Sequence, residues 1–318
     1  MWLVFTGCTA GLGLELVKHL VNQQPCDNFV VLCRNQAKAQ NVFAELQALV
    51  KQNDGSFHII SGDNSDLSSI KSAASEISEL TKKVDCLFMN AGTMGSCSLD
   101  LGNVMRSLLA PWELPYRFAT GDGLIKYSSG KTSDGFEQIF QTNALSHFVL
   151  IQTLDSRLVK IEKTIWTSSN TARSKAFSIE DIEGLNVKDP YGSSKFLVNL
   201  LSSKMTSDGR MSYICDPGTF SSNITLSMVP AFFKIFLLIF FFIVQPFQSK
   251  LTRSPKNAMQ SILYAYNQDE PAANKKYESL TSWNGSPYVR EGDLNLPRDL
   301  AETAWEKMDN IYSRIKSE

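Results

Sequence analysis

Tyr191-Gly192-Ser193-Ser194-Lys195 sets a phenol and an ammonium four positions apart. On a helix that spacing puts both groups on one face. A tyrosine of ordinary pKa, about 10, exchanges protons poorly at neutral pH, but an adjacent Lys⁺ together with an oxidised nicotinamide would stabilise its phenolate and make the pair a candidate acid–base unit. The pattern Y-x-x-x-K is common by chance, so its weight comes from its company. Trp166-Thr167-Ser168-Ser169 closes an apolar run and would bring a hydroxyl to the end of a strand. Ser169 is preferred for that hydroxyl because a reacting group belongs on a rigid element, with Ser168 and Ser178 as the alternatives. Ser178 falls inside the loop ARSKAFSIEDIEGLNVKD, where an N-cap with Asp181 three residues on is its expected job. Asn143, in the helix expected before that strand, is the fourth polar candidate.

A second constellation lies near the start. Thr6-Gly7-Cys8-Thr9-Ala10-Gly11-Leu12-Gly13 leads from an apolar run straight into a helical one. Glycines there allow a tight turn and a close backbone approach to a pyrophosphate, which rests on the helix N-terminus where free N–H groups and the dipole favour negative charge. About twenty residues on, where an acid would meet the ribose 2′-hydroxyl of NAD, stands Cys33-Arg34-Asn35. An acid repels a 2′-phosphate and Arg34 can pair with one, so NADP(H) is favoured over NAD(H). Asp63 is placed to meet the adenine edge, and Asn90-Ala91-Gly92 and Pro217-Gly218-Thr219 each follow a strand at the ligand-binding edge of such a sheet. His19, His58 and His147 are dispersed, and the six cysteines form no C-x-x-C pair, so neither a metal site nor a disulfide framework is expected.

The elements that must carry these residues alternate in type. WLVFT (2–6), FVVLC (29–33), FHIIS (57–61), VDCLFM (84–89), KTIWTS (163–168) and MSYIC (211–215) have the length and composition of buried strands. Between them 12–22, 36–52, 67–81, 133–158 and 191–206 have helical period; KKYESLT (275–281) reads as a seventh strand and 299–316 as a closing helix. Repeated βα units imply an α/β fold, a doubly wound parallel sheet of Rossmann type, with no composition shift to mark a domain boundary within residues 1–318. Residues 93–131 form an inserted loop region far longer than the usual connection, as binding loops often are. With 31 Lys+Arg against 32 Asp+Glu there is no basic excess to neutralise phosphates, so nucleic acid is not an expected partner.

Taken in order, the glycine turn, the Asn-Ala-Gly triplet, Asn143, Ser169, the Tyr191/Lys195 pair and the Pro-Gly after the sixth strand resemble the short-chain dehydrogenase/reductase family, from residue 1 to about 220. The resemblance implies that Tyr191 gives a proton to a substrate carbonyl and that Lys195 tunes the tyrosine and holds the nicotinamide ribose. It also implies that Ser169 bonds the developing alkoxide and that Asn143 orders a proton-relay water. KTSDGFEQIFQTNALSHFVLI, IWTSSNTARSKAFSIEDIEG, DPYGSSK and KKYESLTSWNGSPYV narrow the likeness to the 3-keto-steroid reductases of sterol synthesis, the group that takes in the type 7 17β-hydroxysteroid dehydrogenases, over nearly the whole chain. That group implies NADPH-dependent reduction of a 3-keto sterol to the 3β-hydroxysterol during C4 demethylation, with 17-keto steroids as a side substrate. The alternatives are reduction of a retinoid or other lipid ketone, or a catalytically silent membrane scaffold for other sterol-synthesis enzymes; a homodimer is left open.

VPAFFKIFLLIFFFIVQPF, residues 229–247, holds a single charge, Lys234. As a helix it would extend roughly 28 Å, almost the hydrocarbon thickness of a bilayer. A single crossing would strand the seventh strand on the far side from its sheet. The expectation is therefore a membrane-associating segment after strand six, inserted monotopically or as a re-entrant hairpin, that also walls the substrate pocket. Lys250, Arg253 and Lys256 follow at once and suit an anionic cytosolic leaflet, so the expected location is the endoplasmic reticulum membrane with the catalytic domain facing the cytosol.

Overall fold

The computed structural model describes residues 1–107, 117, 123–128, 130–219, 244–252, 254–272 and 274–317. The expected α/β order is present: β1 (Trp2–Thr6), α1 (Gly11–Gln23), β2 (Asn28–Cys33), α2 (Gln36–Gln52), β3 (Ser56–Ser61), α3 (Leu67–Leu80), β4 (Cys86–Met89), α4 (Ser146–Ser156), β5 (Lys163–Thr167), α5 (Pro190–Ser207), β6 (Met211–Asp216), α6 (Gln260–Tyr266), β7 (Lys275–Thr281), β8 (Pro287–Asp293) and α7 (Arg298–Ser317). One sheet runs in the order β8-β7-β6-β5-β4-β1-β2-β3. Its neighbours are parallel from β3 through β7, so the carboxyl ends of β1 to β6 meet at one edge. The chain crosses from β3 to β4 over the top of β1, and that reversal opens the crevice in which such sheets bind ligands.

Both faces are covered, which is why β1, β2 and β4 read as nearly unbroken apolar runs. Leu16, Val17 and Leu20 of α1, Phe43 of α2 and Ile262 of α6 pack with Phe5, Phe29 and Phe88 on one face. On the other, α3, α4, α5 and α7 enclose Leu87, Phe148, Trp166 and Leu201. In α7 the buried stripe Ala301, Ala304, Met308, Ile311, Ile315 recurs at three and four residues, the spacing of one helix face.

Four expectations need correction. The run 84–89 is not one strand, because the Asp85 carboxylate accepts the Trp2 N–H at 2.7 Å and diverts the chain between Lys83–Val84, which pairs with Lys160–Ile161, and β4. The helix expected from 133 begins at Gln138: Thr132 to Phe136 close a turn through Gly135, and Glu137 caps by accepting Phe140 N–H at 2.7 Å. No helix follows Ser178, whose hydroxyl bonds Glu180 instead of capping. Finally, the sheet is not wholly parallel, since β8 returns antiparallel beside β7 as a solvated edge. Among the described residues no helix is long and apolar enough to cross a membrane, and 220–243, which holds most of the apolar segment, lies outside them.

Candidate active site

A cleft of about 630 Å³ runs along the carboxyl edge of the sheet, bounded at one end by Arg34 and Asp63 and at the other by Ser169, Tyr191 and Lys195. Gly7, Gly11 and Leu12 line it from the first turn, Asn90 to Gly92 from the end of β4, and Pro217 to Thr219 from the end of β6. Three expected residues, Thr6, Gly13 and Asn143, are not among its lining; they hold the walls. Thr6 is fully buried, and its hydroxyl accepts the N–H groups of Asn90 and Ala91, both at 3.0 Å. Gly13 packs so closely that a Cβ there would lie 2.2 Å from the Gly7 carbonyl oxygen. Gly7 is itself required twice over, by a φ of +63° and by Ala91, whose Cα would lie 2.5 Å from an added Cβ.

The first turn of α1 fits an anion. Asn35, Asp66 and Asp189 cap α2, α3 and α5, whereas α1 has Ala10 at its N-cap and no side-chain bond. Its leading N–H groups are thus left beside the cleft, the arrangement a pyrophosphate uses. Arg34 is exposed at the mouth, with no ion pair among the described residues. Asp63 is drawn into its own turn, accepting Ser65 N–H at 2.9 Å and the Ser65 hydroxyl at 2.8 Å.

At the other end, α5 starts with Pro190 in its first turn and Asp189 accepting Gly192 N–H at 2.8 Å, which fixes the turn that carries Tyr191. Lys195 sits one turn on, 3 % exposed, its Nζ donating to the Thr167 carbonyl at 2.7 Å and lying 5.8 Å from the Tyr191 ring centre. Burial pushes Tyr191 up to about 12; the Ser169 hydroxyl bond opposes this, and Asp216 and Asp189 add to it. Burial pushes Lys195 down to about 8 against the pull of Asp216. For both groups desolvation is the largest single effect.

The serine question has a geometric answer. Ser168 turns inward, 1 % exposed, and donates to Asn199 Oδ1 at 2.6 Å. Ser169 faces the cleft and bonds Tyr191. Thr171, which the sequence reading missed, donates to Ser169 Oγ from both its N–H, at 3.2 Å, and its hydroxyl, at 3.0 Å. With its lone pairs so occupied, Ser169 keeps its O–H as a donor toward the site. The only signal in the sequence was an S-x-T turn pattern.

Asn143 lies in a π-helical turn, Gln141–Leu145, just before α4. Its side chain is fully engaged: Oδ1 accepts Thr93 N–H at 2.7 Å, and Nδ2 donates to the Thr93 carbonyl and to Ser194 Oγ, each at 3.0 Å. That leaves its carbonyl for any water, and one side of it is taken by His147 Nδ1 at 3.1 Å. His147 Nε2 lies 3.0 Å from the Thr6 hydroxyl, and burial, with the Lys195 charge, depresses the ring to about 3. A neutral ring with its proton on Nδ1 satisfies both contacts, so this histidine joins the first turn to the Asn143 turn. From the inserted region, Ser96–Leu99 and Ile125–Ser128 pair antiparallel, with Ile125 lining the cleft and Tyr127 against Asp189, and burial raises the Tyr127 phenol.

A family model described as short chain dehydrogenase matches residues 1–106. The chain is 30% identical over 322 residues to the human protein named 3-keto-steroid reductase/17-beta-hydroxysteroid dehydrogenase 7, covering 98% of this chain and 94% of that one. It is 25% identical over 312 residues to the 3-keto-steroid reductase of Saccharomyces cerevisiae, with 92% and 89% covered. Among solved structures, L-sorbose reductase from Gluconobacter frateurii superposes with a TM-score of 0.56 at 13% identity, over 83% of this chain and 88% of that one, a likeness of fold.

Proposed function

Since the chain belongs to the short-chain dehydrogenase/reductase family, we propose that it reduces the ketone of a sterol with NADPH, converting a 3-keto sterol to the 3β-hydroxysterol, with 17-keto steroids as secondary substrates. The observation that carries the reading is the union of the uncapped α1 turn and the Ser169–Tyr191–Lys195 group in one cleft. Gly7, Gly11, Leu12 and the N–H groups of α1 hold the pyrophosphate, Arg34 the 2′-phosphate, and Asn90 to Gly92 with Pro217 to Thr219 enclose the nicotinamide end. NADPH, when bound, supplies the hydride. Tyr191, neutral at physiological pH because its phenol is pushed up to about 12, gives its proton to the carbonyl oxygen. Ser169 donates to the same oxygen, and Lys195 holds its positive charge beside the developing alkoxide. Positioned acid catalysis of this kind contributes about 10²- to 10⁴-fold.

The choice of a 3-keto sterol follows the names of the relatives. The protein acts at the endoplasmic reticulum membrane, with its catalytic domain in the cytosol and residues 229–247 inserted without crossing. Two features support this: the apolar sequence itself, and the parallel pairing of β6 with β7, which are the strands on either side of it. The test is NADPH consumption by the purified protein with a panel of 3-keto sterols, 17-keto steroids and retinal. Preferred turnover of a 3-keto sterol supports the reading, and preferred turnover of retinal would replace it.

A further inference from the structure

A second set of charges lies beneath the cleft. Lys276 on β7 and Asp216 at the end of β6 are buried, 7 % and 2 % exposed, with Lys276 Nζ 3.0 Å from Asp216 Oδ2. The register sets Lys276 beside Ile214, so its long side chain reaches two residues along the sheet toward the carboxyl edge. There the same Nζ donates to the Ser169 carbonyl oxygen at 2.6 Å, spanning β6 to the end of β5. The other Asp216 oxygen, Oδ1, accepts the Gly218 N–H at 2.9 Å, and the Asp216 carbonyl accepts the Ser261 hydroxyl at 3.2 Å. One ion pair therefore grips the backbone on both sides of the reacting end: the turn that carries the serine and the turn that encloses the nicotinamide.

Desolvation offsets most of what such a pair gains, and an apolar pair of similar volume is often as stable. Stability alone is thus a poor reason for two buried charges here, whereas a fixed carbonyl and a fixed N–H at the cleft edge are a specific one. We propose that Lys276 and Asp216 are positioning residues for the reduction, the ion pair holding the Ser169 turn where its hydroxyl meets the substrate and the Gly218 turn where it encloses the nicotinamide. The proposal rests on the reading of Ser169 and Tyr191 as the reacting groups. Neither charge touches the substrate; both act through backbone, and Asp216 in addition favours the charged Lys195 and the neutral Tyr191 through space.

Three variants test it: Lys276→Met, Asp216→Asn, which keeps an acceptor for Gly218, and the double variant, which leaves no unpaired buried charge. For each, the melting temperature, NADPH affinity by nicotinamide fluorescence, and kcat with the ketone that the wild-type protein turns over would be measured. Lys276→Met should lower the melting temperature and cut kcat by about 10- to 100-fold, the scale of a misplacement near 1 Å. The double variant should recover most of the melting temperature while keeping the kcat defect, with NADPH affinity near wild type. A double variant that recovers kcat along with stability would reduce the pair to a structural role and overturn the proposal, as would normal kcat in Lys276→Met. If Lys276→Met fails to fold, the double variant carries the same comparison. Failure of the underlying reading looks different, because Tyr191→Phe would then retain turnover whatever the ion-pair variants do.

Discussion

Tyr191 and Lys195 are moved in opposite directions by one cause. Burial disfavours charge, so the phenol rises to about 12 and the ammonium falls to about 8. Reduction needs the phenol protonated and the lysine charged. The first holds throughout the accessible range and the second is lost as pH rises through the lysine value. The pH profile of kcat/KM for reduction should therefore be level through neutrality and fall above about 8. Lys195→Arg, if active, should move that limb upward, because a guanidinium stays charged to about pH 12. A wild-type profile still level at pH 10 would show that Lys195 ionisation does not govern turnover. At the opposite end of the cleft, Arg34→Glu should weaken NADPH and improve NADH relative to it, since a charge pair across the 2′-phosphate becomes a repulsion. Unchanged selectivity in a cofactor titration would make Arg34 a bystander.

The elements show what kind of information a sequence carries. Strands β1, β2 and β4 were legible because burial on both faces makes them apolar over nearly their whole length, and α7 because its buried residues recur at three and four. What escaped was non-local or nearly isomorphous with something else. The break at Asp85 comes from a bond to Trp2, 83 residues away, and β8, PYVREGD, is exposed or half-buried along its length with no apolar alternation, so periodicity reads it as loop. The π-turn at Asn143 is flanked by ordinary helical dihedrals at Phe140 and Ser146, so only its hydrogen bonds distinguish it from the helix that was expected. Asn143, Ser169, Tyr191 and Lys195 were singled out by type and order, and the last three line the cleft; Thr171 was signalled only by a local S-x-T pattern, whereas His147 and the Lys276–Asp216 pair act through contacts that no local pattern encodes. His147→Phe tests the element-scale link: the ring edge against Trp166 is retained, while the bonds to Thr6 and Asn143 are lost. Losing these two buried bonds should cost about 1–3 kcal/mol of stability, at about 0.5–1.5 kcal/mol each, and weaken NADPH binding together with kcat. Loss of stability with normal binding and kcat would confine His147 to packing.

For the whole molecule, the continuity of the sheet limits the ways in which a membrane could be met through the proposed segment 229–247. β6 ends at Asp216 and β7 begins at Lys275, and these strands are hydrogen-bonded neighbours, so the chain on either side of the apolar segment belongs to one body. A protein held by residues 229–247 should expose tags at both termini to protease on sealed microsomes, and Asn223, within a formal glycosylation sequon, should stay unmodified. Protection of one tag, or a glycan on Asn223, would instead establish a true crossing. The same continuity places the glycine turn, the Ser169, Tyr191 and Lys195 side chains and the buried ion pair along one edge of the sheet, as a hydride transfer coupled to proton donation would require. The most direct measurement of that claim is NADPH oxidation by Tyr191→Phe beside the wild-type protein with a 3-keto sterol, alongside a fluorescence titration of NADPH binding. The account predicts that removing this one hydroxyl abolishes turnover and leaves NADPH affinity nearly intact; wild-type turnover by the phenylalanine variant would contradict it.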